Sequence, residues 1–281
     1  MKIEKLSEKL AIFFYFLCFL GSIIVIFFWF LEKPLFYTAS GPVMSIFTAL
    51  SLCILSGIRL AKRFLFGWPM TTTLGLMVFV MGGNISSVLM MTSFPHILAD
   101  TQSSIVMTSV FTSLGILLFG SYELLLIIRK TPKHIFILDD ILIHLALVPG
   151  GLSLLGHLLN NPAYISLGID PRVGISLLEM SFMASFAAAT ILSNPNLFLW
   201  QFLRENISNK IIFIALFSNQ FIAPILYAYF IAGKSSNAKK PGLELFIMIA
   251  GVFATLSFLM IQAYNLNNPT EKEAIEDGQH S

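Results

Sequence analysis

Charge is what this sequence has least of. Only 11% of its 281 residues are Asp, Glu, Lys or Arg, whereas 56% are hydrophobic, and the mean hydropathy is +0.82. A chain so poor in charge cannot clothe itself for water, which excludes an ordinary soluble domain. Cysteine is almost missing too. Cys18 and Cys53 are the two, both within apolar runs, so they read as small core residues and no disulfide framework is expected. There is no Walker A lysine loop, HExxH pair, GxSxG elbow or CxxC cluster. Soluble-type catalysis and nucleic-acid binding have no support, and the links between apolar runs leave no room for a soluble catalytic domain.

What remains is a succession of apolar runs. Runs of roughly 20 residues cross a ~30 Å hydrocarbon core as helices, because only a helix satisfies its own backbone in lipid. Eight spans are expected: Ala11–Leu31, Val43–Leu60, Met70–Met91, Ser104–Ile128, Ile135–Leu159, Val173–Leu192, Ile211–Ile231 and Leu243–Tyr264. The expected fold class is an all-α polytopic transmembrane bundle. Residues 1–10 form an N-terminal segment, 11–264 the bundle and 265–281 a short acidic, polar tail. The first run follows basic residues as a signal peptide would. It is longer than a signal h-region and has no clear cleavage site, so it reads as an uncleaved anchor.

Net charge of +2 says little, but its distribution sets an orientation. With the N-terminus inside, the inner segments hold Lys2, Lys5, Lys9, Arg59, Lys62, Arg63, Arg129, Lys130, Lys133, Arg204, Lys210 and Lys272. The outer ones hold Lys33, Arg172, Lys234, Lys239 and Lys240. The positive-inside rule therefore puts both termini in the cytoplasm, in a bacterial inner membrane. The loop "AGKSSNAKKPG" dissents; a re-entrant seventh span would move it inside.

Two stretches look alike. In "VMGGNISSVLMMTSFP" and "LVPGGLSLLGHLLNNP", Gly83 falls on Gly150, Ser86 on Ser153 and Pro95 on Pro162. Asp100 and Asp170 follow, where an acid would cap the next helix, and Pro171 suits a first turn. Helices 3–4 and 5–6 are thus expected to be parallel copies, as in several membrane folds.

Polar groups inside spans are costly and mark candidate sites. Glu179 is placed about 9 Å below the outer end of its helix, with Arg172 one face-repeat earlier. They are candidates for binding a ligand or ion, or for a snorkelled pair. Asp140 and His144, four apart on one face, lie near Asp139, Tyr122 and Glu123; Asp140, His144 and Glu123 form a candidate polar latch. His96 and His157 do not make a metal set, and no metal, cofactor or catalytic group is expected. Asn84, Asn219 and Gln220 read as bonds between helices. Pro149-Gly150-Gly151 and Pro224 would kink their helices, opening a cavity or hinge.

Trp68–Gly120 and Asp139–Asn196, including "SLGILLFG" and "GHLLNNPAYISLGIDPRVGISLLEMSFMASFAAATILSNP", resemble the polytopic N-terminal membrane region of some bacterial sensor histidine kinases, PP2C-type phosphatases and diguanylate cyclases. The resemblance implies a sensory, signal-input bundle. No kinase, phosphatase or cyclase domain follows, so a separate signalling protein or a second copy is the partner it implies, beside the lipid bilayer. The alternative is a small transporter using Glu179, and an intramembrane enzyme ranks last.

Overall fold

The computed structural model describes residues 2–33, 35, 42–65, 67–93, 108–128, 137–159, 174–195, 197–200, 207–230 and 243–267. Eight long helices stand where the apolar runs are: α1 Lys2–Phe30, α2 Ile46–Phe64, α3 Met70–Ser93, α4 Val110–Ile128, α5 Ile137–Leu159, α6 Leu177–Ser193, α7 Ile207–Phe230 and α8 Leu243–Asn267. A short helical turn adds residues 198–200, and no strand occurs among the described residues. Among the described residues, six helices are long and apolar enough to cross a membrane. The exceptions are α6, at 17 residues, and α2, which carries Arg59, Lys62 and Arg63 in its second half. The chain is a multi-pass, all-α membrane protein.

Helices α1 to α6 form a closed ring of neighbours, each touching the next and α6 touching α1. Helix α2 also meets α4 and α6, so it sits innermost. The α7–α8 hairpin stands outside this ring and leans on α5. Between helices in lipid, close approach and hydrogen bonds replace the hydrophobic drive, and small residues permit that approach. At Gly21 a Cβ would come within 2.3 Å of the Phe182 ring, and at Gly83 within 2.1 Å of Phe47. Neither position tolerates a side chain without repacking.

The buried stripe of α1 is Ala11, Tyr15, Cys18, Ser22 and Val25, and that of α3 is Thr73, Met77, Val80, Asn84 and Ser87. Both step by three and four residues, the spacing of one helical face. Phe13, Phe16, Phe27, Val78 and Phe79 point outward instead. Apolarity therefore does not mark the inside here: the outward residues are the more hydrophobic, as a lipid solvent demands.

Helix starts differ from expectation in a consistent way. Asp100 and Asp170 lie outside the described residues, as does Pro171, and the caps of α4 and α6 are Ser109 and Ser176. Ser45 caps α2 in the same manner. The hydroxyl of Ser45 accepts from the backbone N–H of Thr48 at 3.0 Å, Ser109 from that of Thr112 at 3.0 Å, and Ser176 from that of Glu179 at 3.1 Å. A side-chain oxygen at this position satisfies a backbone donor that the first helical turn leaves free. The motif thus occurs three times, opening α2 as well as α4 and α6. The paired hairpins also share a tie across their open ends. Ser87 donates to the carbonyl of Thr108 at 3.1 Å and Ser153 to that of Ile175 at 3.0 Å. Ser87, rather than Ser86, is the counterpart of Ser153.

Candidate functional site

The polar side chains of the bundle gather in two layers on α2, one at the end where α2, α4 and α6 begin (the cap end) and one where α2 finishes (the basic end). Thr48 and Arg59 are about 16 Å apart along the helix at ~1.5 Å per residue.

At the cap end, three hydroxyls close a ring. Ser45 donates to Thr48 at 2.8 Å, Thr48 donates to Thr108 at 3.3 Å, and Thr108 returns to Ser45 at 3.3 Å. All three are buried. Beside them lies Glu179, 1% exposed. One carboxylate oxygen accepts from the backbone N–H of Ser176 at 3.0 Å, completing a capping box on α6. The other accepts from the backbone N–H of Ser45 at 3.4 Å, the cap residue of α2. A single acid therefore closes one helix start and reaches a second, where both helix dipoles favour negative charge.

This placement corrects the depth read from the sequence. The helix starts at Leu177 rather than Val173, because Ser176 caps it, so Glu179 lies in its first turn and not well inside the span. It does not snorkel; its oxygens are held by backbone. Arg172, its suggested partner, lies outside the described residues.

The basic end is built from charge. Arg59 of α2 forms an ion pair with Glu123 of α4 through its Nε, and the Nζ of Lys62 lies 4.0 Å from the other carboxylate oxygen. Glu123 is fully buried. The Arg59 guanidinium also sits 5.5 Å from the centre of the Tyr122 ring, a cation–π approach. Asn194 donates to the Tyr122 hydroxyl at 2.9 Å, and the Tyr15 hydroxyl meets Thr190 at 3.3 Å and Ser193 at 3.1 Å. Four helices thus meet around one ion pair. Two of its atoms, Nη2 of Arg59 and Oε2 of Glu123, are buried without a hydrogen bond. On the nearby surface, Arg63 pairs with Glu8 of α1.

The suggested latch of Asp140, His144 and Glu123 is not assembled by these bonds. Glu123 turns to α2. Asp140 takes the backbone N–H groups of Phe198 and Leu199, at 2.9 and 3.0 Å, holding the helical turn at 198–200. His144 faces α7, with its ring 5.6 Å from that of Phe217. His157 contacts the carbonyl of Ile175 at 3.1 Å, and His96 is outside the described residues. Asn84 does bond between helices, donating to Ser51 of α2 at 3.1 Å. Among the described residues no three His, Cys, Asp or Glu side chains gather as a metal set would need.

Sequence reading passed over Arg59, which counted only as an inner positive charge, and over the hydroxyls of the cap end. A signal existed for the latter: "SIFT", "SVFT" and "SLLE" are one Ser-x-x-Thr/Glu spacing met three times. No family model, curated protein or solved structure matches this chain.

Proposed function

We propose that this protein is a signal-input bundle of the cytoplasmic membrane, with both termini inside, that acts through a separate protein partner. The observation that supports the reading is α2. It is the innermost helix, it carries Ser45 and Thr48 in one polar layer, and it carries Arg59 and Lys62 in the other. One rigid rod bonded at both ends converts a change at one face into a displacement at the other. Polar contacts that have two discrete arrangements are the material of such switches. Transport through Glu179 has less support, since both of its oxygens hold backbone N–H groups and a carrier acid must exchange its partners.

The test places a fluorine-19 label at Lys62→Cys in a chain with Cys18→Ala and Cys53→Ala, and adds Glu179→Gln at the far end. Coupling predicts a shifted or split fluorine resonance at the basic end. An unchanged spectrum, or saturable Glu179-dependent solute uptake into proteoliposomes, defeats the proposal.

A further inference from the structure

Helices α5, α7 and α8 meet at a junction that belongs to neither polar layer. On α5, His144 is 7% exposed, and its Nε2 atom is buried with no hydrogen-bond partner. The other polar groups turned to this place are already occupied with one another or with backbone. Thr255 of α8 donates to Gln220 of α7 at 3.5 Å, Gln220 lies within reach of the His144 ring, and Asp140 holds Phe198 and Leu199. Around His144 the lining is aromatic. Phe213, Phe217 and Phe221 follow one another at four-residue steps on α7, with Phe217 stacked on Phe213 at 5.8 Å and edge-on to Phe221 at 5.6 Å.

Two turns further along α5 the junction becomes an apolar recess between Gly151 and Leu155 of α5, Phe221 and Pro224 of α7, and Met248 of α8. In the present state it has no room for a water molecule. Phe221 is the plug: a Cβ on Gly151 would lie 2.3 Å from its ring. Both walls carry a break beside it, since Pro149 and Pro224 each remove a backbone donor inside a helix and allow a bend. Ile222 and Leu226, on the same stretch of α7, are exposed and face the lipid.

We propose that this junction binds a lipid-soluble molecule bearing a carbonyl, of the quinone class, with its ring among the phenylalanines at His144 and its tail in the recess beside Pro224. Nε2 is a buried ring nitrogen without a partner, and in the tautomer that carries the proton there it is a donor that a ring carbonyl would satisfy. Flat rings stack and meet edge-on with phenylalanine. Small-molecule sites are mostly apolar with few placed polar groups, and this junction has that composition. A water-borne ligand has no aqueous route here, and Asp140 is already taken by the backbone N–H groups of Phe198 and Leu199. Because the recess has no free room, binding needs it to open, with Phe221 swinging aside and α7 bending at Pro224. The site stands or falls independently of the signal-input reading.

The experiment is thermal unfolding of the full chain in detergent with decylubiquinone, and with decylbenzene as a probe that has the tail and ring but no carbonyl. The expected result is a saturable rise in Tm with decylubiquinone alone, lost in His144→Phe. No saturable rise, an equal rise with decylbenzene, or an undiminished rise in His144→Phe overturns the proposal. Should His144→Phe not fold, photolabelling of the wild-type chain with an azidoquinone decides. Label on α5, α7 or α8 at the junction supports the site, and label elsewhere refutes it.

Discussion

Glu179 and Glu123 are both carboxylates buried in the same bundle, yet they are kept there by different means. Glu179 is held by backbone N–H groups at two helix starts, a dipolar environment that exists as soon as α2 and α6 are side by side. Glu123 is held by the side chains of Arg59 and Lys62, full charges that must themselves be taken from water. The first acid finishes secondary structure and the second one is part of an ion pair. The cost of losing a partner therefore differs between the two ends.

The largest effect is expected at the basic end. Arg59→Ala removes the closer partner of buried Glu123, leaving only the partly exposed Lys62 at 4.0 Å, and should destabilise the protein by up to about 3–5 kcal/mol. Detergent thermal unfolding measures it. The double variant Arg59→Met with Glu123→Leu should recover most of that loss, because an apolar pair of similar volume needs no desolvation. A double variant as unstable as Arg59→Ala alone would show that the ion pair is not what matters there.

The next effect is at the cap end. Glu179→Ala removes the capping-box acceptor and the link to Ser45, a loss of about 1–3 kcal/mol. Glu179→Gln retains one acceptor oxygen, so its loss should be smaller, and the ordering of the two melting points is the check. If Glu179→Gln were the less stable, repulsion of its amide by the backbone N–H groups would outweigh shape. Ser45→Ala comes below this. It removes the α2 cap and opens the hydroxyl ring, for roughly 0.5–2 kcal/mol. The diagnostic is amide exchange, which should quicken at Thr48 and not at the far end of α2.

The smallest effect is expected on the surface of the basic end. Arg63→Gln breaks an exposed pair with Glu8, the two side chains being 40% and 51% exposed. Its cost should lie within about 0–1 kcal/mol and shrink as salt is raised. A salt-independent loss above that range would place Arg63 in the same network as Arg59.

Much of the architecture was legible from composition. The apolar runs located eight helices, and six of them meet the length and apolarity of a membrane span. Two of the expected amide bonds between helices also formed, Asn84 with Ser51 and Gln220 with Thr255. The sites were less legible. Spacing alone put Asp140 with His144, since they share a helical face. A carboxylate four residues from a histidine is free to turn to a better donor, and two backbone N–H groups at Phe198 and Leu199 are such donors. Glu179 was noticed for its rarity in an apolar run, but its depth followed from where the helix starts. Moving that start from Val173 to Leu177 changed an intramembrane acid into a cap.

By itself, the sequence determined that this chain is a helical membrane protein, because burying so little charge and so much hydrocarbon in lipid leaves the backbone one economical solution, the helix. It also contained the three Ser-x-x-Thr/Glu helix starts, whose capping bonds close within four residues. The tertiary structure alone decided which face of each helix is inside. In lipid the solvent is as apolar as the core, so hydrophobic periodicity carries no direction, and the buried stripes of α1 and α3 include Ser22, Thr73, Asn84 and Ser87. It also decided the partners of the buried charges. Arg59 and Glu123 are 64 residues apart in the chain, and only the approach of α2 to α4 makes them a pair.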